Sequence, residues 1–338
     1  MNSYQQIVTA IRSASNIVIT SHKSPDGDSI GSSLGLYHFI NKLGKTSFIC
    51  HPDPAPDFLS WIEDFNTVLT LKTNKEQVEE AFRKADLIFC LDYNATDRVG
   101  EDMQKLLEEA SCKKIMIDHH LNPEDFAFIT VSETEVCSTS QLICELIEQS
   151  GNGNLLDSTI GTPLYLGILT DTGSFRFSSV QPRTHEILAK LLSAGVKHYQ
   201  IHEYLNDNNT VGRLRLQGYA MCEKLEVLEK NHVAIVSLTE NELKKFDYQK
   251  GDTDGIVNLA LSIKGLKAAI FLAEKDGLIK MSFRSKGKEN PVNGLASEHF
   301  NGGGHANASG GASELSMIDT LEKLKKLIPQ YFPVDANI

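Results

Sequence analysis

The sequence predicts an α/β protein of two domains. The first is an N-terminal, mostly parallel sheet with helices on both faces; the second is a smaller C-terminal α/β domain, and a helical linker joins them. Three observations carry this. The chain of 338 residues is long enough for two domains of roughly 100–200 residues each. In the first half, short β-branched runs alternate with helical patterns, the signature of βαβ units. After a mixed polar and apolar stretch the alternation resumes on a smaller scale. The expected division is 1–205, 206–230 and 231–338.

Residues 3–14 space their apolar positions as an amphipathic helix, without the basic start and continuous apolar stretch of a secretion signal. Residues 16–20 (NIVIT) form a short β-branched strand. From 29 to 43, Ile30, Leu34, Leu36, Tyr37 and Ile40 recur at helical spacing until Gly44 ends the run. A strand at 46–50, a helix at 75–84, a strand at 86–92, a helix at 102–110 and a strand at 114–118 follow. The helix at 138–149 is opened by Ser138-Thr139-Ser140, a capping cluster. Segment 162–170 is apolar enough for either state, and a helix is expected. The stretch 206–230, with Leu214, Leu216, Tyr219, Leu225 and Leu228, reads as a connecting helix. Beyond it come a strand at 232–238, a helix at 255–261, strands at 267–273 and 278–284, and helices at 294–300 and 316–327.

Composition narrows the class. With 41% hydrophobic residues the chain is not disordered, and no apolar run reaches the ~18–20 residues that span a bilayer. Six cysteines, at 50, 90, 112, 137, 144 and 222, form no C-x-x-C pair. Cys90 lies in an apolar run and Cys50 ends one, where a reduced thiol behaves as a small hydrophobe. A reducing cytoplasm is therefore the expected location, and a thiolate zinc site is disfavoured. The formal charge of −11 gives no long-range attraction to nucleic acid, so a polyanionic substrate needs a local positive site or bound cations.

Immediately after the first strand comes Ser21-His22-Lys23-Ser24-Pro25-Asp26-Gly27-Asp28-Ser29. In an open α/β sheet, ligands bind beyond the carboxyl ends of the strands, where this segment must lie. Pro25 and Gly27 make it turn sharply before the helix. Asp28 or Ser29 could simply cap that helix. The pattern recurs, however. The run 86–91 (DLIFCL) ends in Asp92, 114–117 (KIMI) ends in Asp118-His119-His120, and Thr170-Asp171-Thr172-Gly173 closes the segment beginning at 162. Such crowding of carboxylates in one crevice is costly unless cations neutralise it. Carboxylates and imidazoles without thiolate favour manganese, magnesium or iron(II) over structural zinc. The surplus of donors points to two divalent ions sharing a carboxylate, the arrangement that clamps the attacking and leaving oxygens in phosphoryl hydrolysis.

His22-x-x-Pro25-Asp26-Gly27-Asp28, the isolated Asp92, Asp118-His119-His120 and Thr170-Asp171-Thr172-Gly173 resemble, in order and spacing, the four motifs of the DHH phosphoesterase superfamily. Gly302-Gly303-Gly304-His305-Ala306-Asn307-Ala308-Ser309-Gly310 resembles the signature of the accompanying DHHA1 domain. Stand-alone, two-domain members of this size are similar to the NrnA type, nano-RNases and phosphatases of 3′-phosphoadenosine 5′-phosphate (pAp), also labelled exopolyphosphatase-related. The resemblance implies that His22, Asp26 and Asp92 hold one metal and Asp28, Asp92, His119 and Asp171 the other. It implies two divalent ions, manganese first, with magnesium, iron(II) or cobalt as alternatives. Asp118 would orient an imidazole, and His120 would face the scissile phosphate during in-line attack by water.

In the second domain, Gly302, Gly303 and Gly304 let backbone N–H groups approach an anion, with His305 as a further donor. Lys280, Arg284, Lys286 and Lys288 form a positive run, with Arg284 the candidate to hold a terminal phosphate bidentately. Arg98 reads either as a phosphate contact or as a surface ion pair. Phe175-Arg176-Phe177 is assigned to core packing, with the floor of a nucleotide site as the other option. His38, His51, His185, His198, His202, His232 and His299 match no motif. The expected substrates are short single-stranded oligonucleotides, dinucleotides such as pApA, or mononucleotide bisphosphates. Neither long duplex nucleic acid nor a membrane is an expected partner, and a homodimer is the base-rate expectation. Cyclic di-AMP cleavage is the rival reading; polyphosphate hydrolysis and a silent nucleotide-binding regulator rank below it.

Overall fold

Successive side chains of a strand face opposite ways, so an all-apolar strand must be covered on both sides. In the computed structural model, which describes residues 2–207, 209–249 and 251–334, β1 (Ile17–Thr20) sends Ile17 and Ile19 into one apolar cluster and Val18 into another. The division continues through β4 (Leu87–Leu91) and β5 (Lys113–Asp118). Leu87, Phe89, Leu91, Ile115 and Ile117 face the first cluster, and Ile88, Cys90 and Met116 the second. With β2 (Ser47–His51), β3 (Val68–Thr70) and β6 (Ile129–Ser132) they form a wholly parallel sheet in the order β3-β2-β1-β4-β5-β6. The helices α3 (Lys75–Lys84) and α4 (Glu101–Glu109) cover one face. The other is covered by α1 (Ser3–Ser13), α2 (Gly27–Lys42), α5 (Thr139–Gln149) and α6 (Ser158–Asp171), with α7 (Pro182–Ser193) and α8 (His198–Asn206) packed against α6. The strand order reverses between β1 and β4, the place where such sheets bind ligands.

A run of glycines brings α2 and α6 together. Gly27, Gly31 and Gly35 recur every four residues along one side of α2, and a Cβ there would overlap Thr170, the Pro163 carbonyl and Leu164 respectively. The backbones therefore approach closely, and α6 is buried all round over Leu164, Tyr165, Leu166, Ile168 and Leu169. That uniform burial is why segment 162–170 has no periodicity to read; it is helical, as expected.

The chain divides into two compact units, Met1–Asn208 and Asn209–Ile338. In the second, β8 (Val233–Leu238) pairs parallel with β9 (Ala268–Lys275), while β7 (Leu225–Leu228), β10 (Leu278–Ser285), β12 (Ala308–Ser313) and β11 (Gly303–His305) add antiparallel pairs. The order is β11-β12-β10-β9-β8-β7. One face carries α12 (Asn293–His299) and α13 (Met317–Tyr331) over Ile279, Met281 and Phe283. On the other, α9 (Val211–Glu223), α10 (Glu240–Lys245) and α11 (Ile256–Leu261) pack on Ala234, Val236, Ala269 and Phe271 of β8 and β9.

The segment 206–230 is not one connecting helix. Leu216 and Ala220 of α9 enter the second unit's core, and β7 pairs with β8, so both elements belong to that unit. Thiols are free at all six cysteines, and burial pushes Cys50 and Cys90 up to about 12, so they sit in the core as neutral apolar groups. Among the described residues, no helix is long and apolar enough to cross a membrane.

Candidate metal centre

The loop after β1 is held from two sides. Ser24 adopts a left-handed backbone (φ 56°) and donates its N–H to Asp53 Oδ2 at 2.8 Å, while the Lys23 N–H donates to the Arg98 carbonyl at 2.9 Å. Asp26 caps α2: its Oδ1 accepts from the Asp28 and Ser29 N–H groups, both at 3.0 Å. The cap is thus Asp26 rather than Asp28 or Ser29, and Asp28 is released to point away from its own helix. Both its oxygens are taken by the first turn of α5, Oδ2 accepting from the Thr139 N–H at 2.7 Å and Oδ1 from the Ser140 N–H at 2.9 Å. A helix N-terminus is a favourable place for a carboxylate. Gly167 of α6 keeps the space open, since a Cβ there would overlap Ser140 and Asp28.

Asp92 follows β4 in a left-handed conformation (φ 64°), with its N–H donated to the Ile117 carbonyl at 3.1 Å. Its Oδ1 accepts from the Thr139 hydroxyl at 3.0 Å. The buried carboxylate then faces two imidazoles, His22 Nε2 at 3.4 Å and His119 Nε2 at 3.5 Å. His22 Nε2 also lies 3.9 Å from Asp26, and His119 Nε2 lies 3.2 Å from Asp171 at the end of α6. The Nδ1 of His22, 2.8 Å from the Lys23 carbonyl, donates to it, leaving Nε2 for the crevice. Among the described residues, donor atoms close enough to share an ion occur in three trios: His22, Asp26 and Asp92; Asp28, His119 and Asp171; Asp92, His119 and His120.

The electrostatics show what this cluster lacks. Burial opposes charge on Asp92, yet His119 and His22 overrule it and hold the carboxyl well below its usual range. Burial likewise opposes charge on both imidazoles, but Asp92 pushes His22 up to about 9 and His119 up to about 10. Burial, then Asp92, raises Asp28 far above a normal carboxylate and Asp171 to about 7. Protons thus stand where cations would otherwise be needed. The oxygen and imidazole donor set fits a hard or borderline divalent ion, which would displace those protons.

Residues 16–168 match the DHH family, N-terminal domain, and residues 230–332 match the DHHA1 domain. A solved exopolyphosphatase-related protein from Bacteroides fragilis superposes with a TM-score of 0.94 at 40% identity, over 98% of this chain and 96% of that one. The chain belongs to the DHH family. A bifunctional oligoribonuclease and PAP phosphatase, NrnA of Thermus thermophilus, is 29% identical over 298 residues, 87% of this chain and 83% of that protein. The cyclic-di-AMP phosphodiesterase GdpP of Bacillus subtilis is 28% identical over 98% of this chain but only 50% of its own length.

Asp171 lies just past the matched DHH residues, brought in by the packing of α6 on α2. Asp118 is buried and accepts from the His120 N–H (2.9 Å) and faces its Nδ1 (2.7 Å), so the imidazole it orients is that of His120. Arg98 is exposed and has no acidic partner among the described residues. In the DHHA1 domain, Gly302–Gly304 do not form a free loop. The Gly302 N–H donates to the Ala296 carbonyl (3.1 Å), and Gly303 and Gly304 pair with Gly310 and Ser309 as an edge strand. Their small size is structural, because a Cβ at Gly302 or Gly304 would overlap the β12 backbone. Arg284, Ala308 and His305 lie directly opposite one another across β10, β12 and β11, hence on one face. It is the face on which α9–α11 pack against β8 and β9, with α11 also reaching β10. Arg284 donates from Nη1 to the Phe283 carbonyl at 2.9 Å, and burial lowers its pKa.

Sequence reasoning missed Thr139 and Asp53. The capping cluster has two roles, since Ser138 caps α5 through the Gln141 N–H while Thr139 and Ser140 hold the carboxylates of Asp28 and Asp92. The four-residue glycine period in α2 was the readable signal for the close α2–α6 contact.

Proposed function

We propose that this chain is a divalent-cation-dependent phosphoesterase that hydrolyses short oligonucleotides, dinucleotides such as pApA, and pAp. The observation that supports it most is the coupling of two donor trios through one buried pair: Asp92 faces both His22 and His119, and His119 also faces Asp171. His22, Asp26 and Asp92 would hold one ion. Asp28, His119 and Asp171, with Asp92 shared, would hold the other, manganese being the first choice. Bound there, the ions would supply Lewis acidity to a phosphoryl group and ease ionisation of the attacking water.

The chain's own residues do the rest. Thr139 fixes one oxygen of Asp92, and the α5 backbone fixes both oxygens of Asp28, so neither carboxylate has to reorganise. Asp118 holds the Nδ1 side of His120 and so orients the ring, whose Nε2 would pass a proton or hydrogen bond to the leaving oxygen. In the DHHA1 domain, the face that aligns Arg284 with His305 suits a terminal phosphate, while Arg98, whose carbonyl accepts from the Lys23 N–H of the metal loop, offers an exposed side chain with no acidic partner among the described residues. The relatives of similar length are oligoribonucleases and pAp phosphatases, which favours short nucleotides over long duplexes. Six free thiols suit a cytoplasmic location.

A side-by-side assay with manganese tests the reading, using pAp, a dinucleotide, a five-residue RNA, a longer RNA and cyclic di-AMP. The expected result is fastest turnover of the dinucleotide and pAp, with little of the longer RNA. Preferential opening of cyclic di-AMP would instead place the chain with the cyclic-di-AMP phosphodiesterases, and turnover of none would refute the proposal.

A further inference from the structure

Just beyond Asp171 the backbone makes an unusual turn. Gly173, Ser174 and Phe175 are left-handed in succession, at φ 55°, 62° and 64°. Non-glycine residues rarely enter this region, and two in series persist only where surrounding bonds fix them. Here Thr172 supplies those bonds: its hydroxyl accepts from the Phe175 N–H (3.0 Å), and its carbonyl accepts from the Arg176 and Phe177 N–H groups (2.9 and 3.1 Å).

The turn separates the two aromatic residues. Phe175 packs into the core against Tyr165, with ring centroids 6.0 Å apart, as expected from the sequence. Phe177 does not: it is 55% exposed, and its ring lies on the face of Gly173, where any Cβ would strike it. Arg176 is also exposed, yet its Nε is fixed on the Gly173 carbonyl at 2.8 Å, and no carboxylate pairs with it among the described residues. Gly173 is two residues from Asp171, so their Cα atoms lie within about 7.6 Å. The turn that begins two residues past Asp171 thus carries a solvent-facing ring packed on Gly173 and a guanidinium held on its carbonyl, with no carboxylate partner among the described residues. An exposed aromatic face beside a site for phosphoryl groups offers a surface on which a flat base can stack.

We propose that turn 173–177 is a nucleotide subsite, in which Phe177 stacks on a nucleobase and Arg176 pairs with the adjoining phosphate. This rests on the phosphoesterase reading for the presence of a nucleotide and adds which part of it is recognised.

Calorimetric titration with adenosine 5′-monophosphate and ribose 5-phosphate, which differ only in the base, tests it without requiring turnover. Wild type should bind the nucleotide at least about tenfold more tightly, within the range of aromatic–base stacking. F177A should bring the ratio of the two affinities close to one, F177W should keep it, and R176A should weaken both ligands alike. Circular dichroism checks that each variant is folded, and F177L retains the apolar cover on Gly173 should alanine fail. A folded F177A or F177L with the wild-type ratio overturns the subsite, as does a wild type without preference. Dinucleotide hydrolysis by wild type, run in parallel, reports separately on the enzyme. Hydrolysis with an unchanged ratio in F177A refutes only the subsite, whereas base-dependent binding without hydrolysis refutes only the phosphoesterase.

Discussion

Asp92 combines a left-handed backbone, full burial and two facing imidazoles, and its charge governs the protonation of its neighbours. In the metal-free chain it raises His22 to about 9 and His119 to about 10, while in an unfolded chain both would titrate near 6.5. The folded state therefore holds protons that the unfolded state has released. The resulting stabilisation is complete below about pH 6.5 and is lost as pH rises through 9 to 10. Asp92→Asn removes the cause. Thermal unfolding of chelator-treated proteins should show the wild-type Tm minus the variant's falling across that window; a difference that grows with pH would contradict the coupling. The six candidate ligands were legible because acids and imidazoles recur after four apolar runs, with His22, Asp26 and Asp28 in the turn after the first and Asp92, His119 and Asp171 at or just past the ends of the others. Thr139 was not, since a hydroxyl in a capping cluster carries no mark of which carboxylate it will meet.

Among the elements, most periodic helices and buried strands were read closely; short or glycine-rich ones were not, and neither was the twelve-residue α7 despite its apolar periodicity. Strands β3, β6, β11 and β12, and helices α7, α8 and α10, were absent from the reading. Three-residue strands have too few positions to show a pattern, and the β11–β12 hairpin looks like a loop because its glycines answer to backbone proximity. The same proximity between α2 and α6 sets where Asp28 and Asp171 lie. Ala in place of Gly gains up to about 1 kcal/mol of helix propensity in an open position. At Gly218 of α9 nothing lies near the added Cβ, so Gly218→Ala should raise stability by about that amount. At Gly31 the Cβ meets the Pro163 carbonyl, a backbone atom that cannot rotate away, and overpacking of about 1–3 kcal/mol outweighs the gain. Gly31→Ala should therefore lower the Tm and, by moving Asp171 from Asp28, lower activity too. Equal stabilisation of both variants in denaturant titrations would show that the helices are not in close contact.

At the scale of the whole molecule, a chain of formal charge −11 gathers its most buried acids at one sheet edge and is proposed to act on polyanions. Two facts reconcile these: the acids converge at the strand-order reversal, where β1, β4 and β5 all end, and their crowding already demands positive charge. The central claim is that divalent cations supply it. Elemental analysis of chelator-stripped protein re-equilibrated with manganese, with dinucleotide hydrolysis measured on the same samples, tests this most directly. Two ions per chain should bind and restore activity together. A folded Asp92→Ala should lose metal and at least about a thousandfold in kcat/KM. Full hydrolysis in the stripped protein, or a chain that takes up no manganese while remaining folded, would contradict the account.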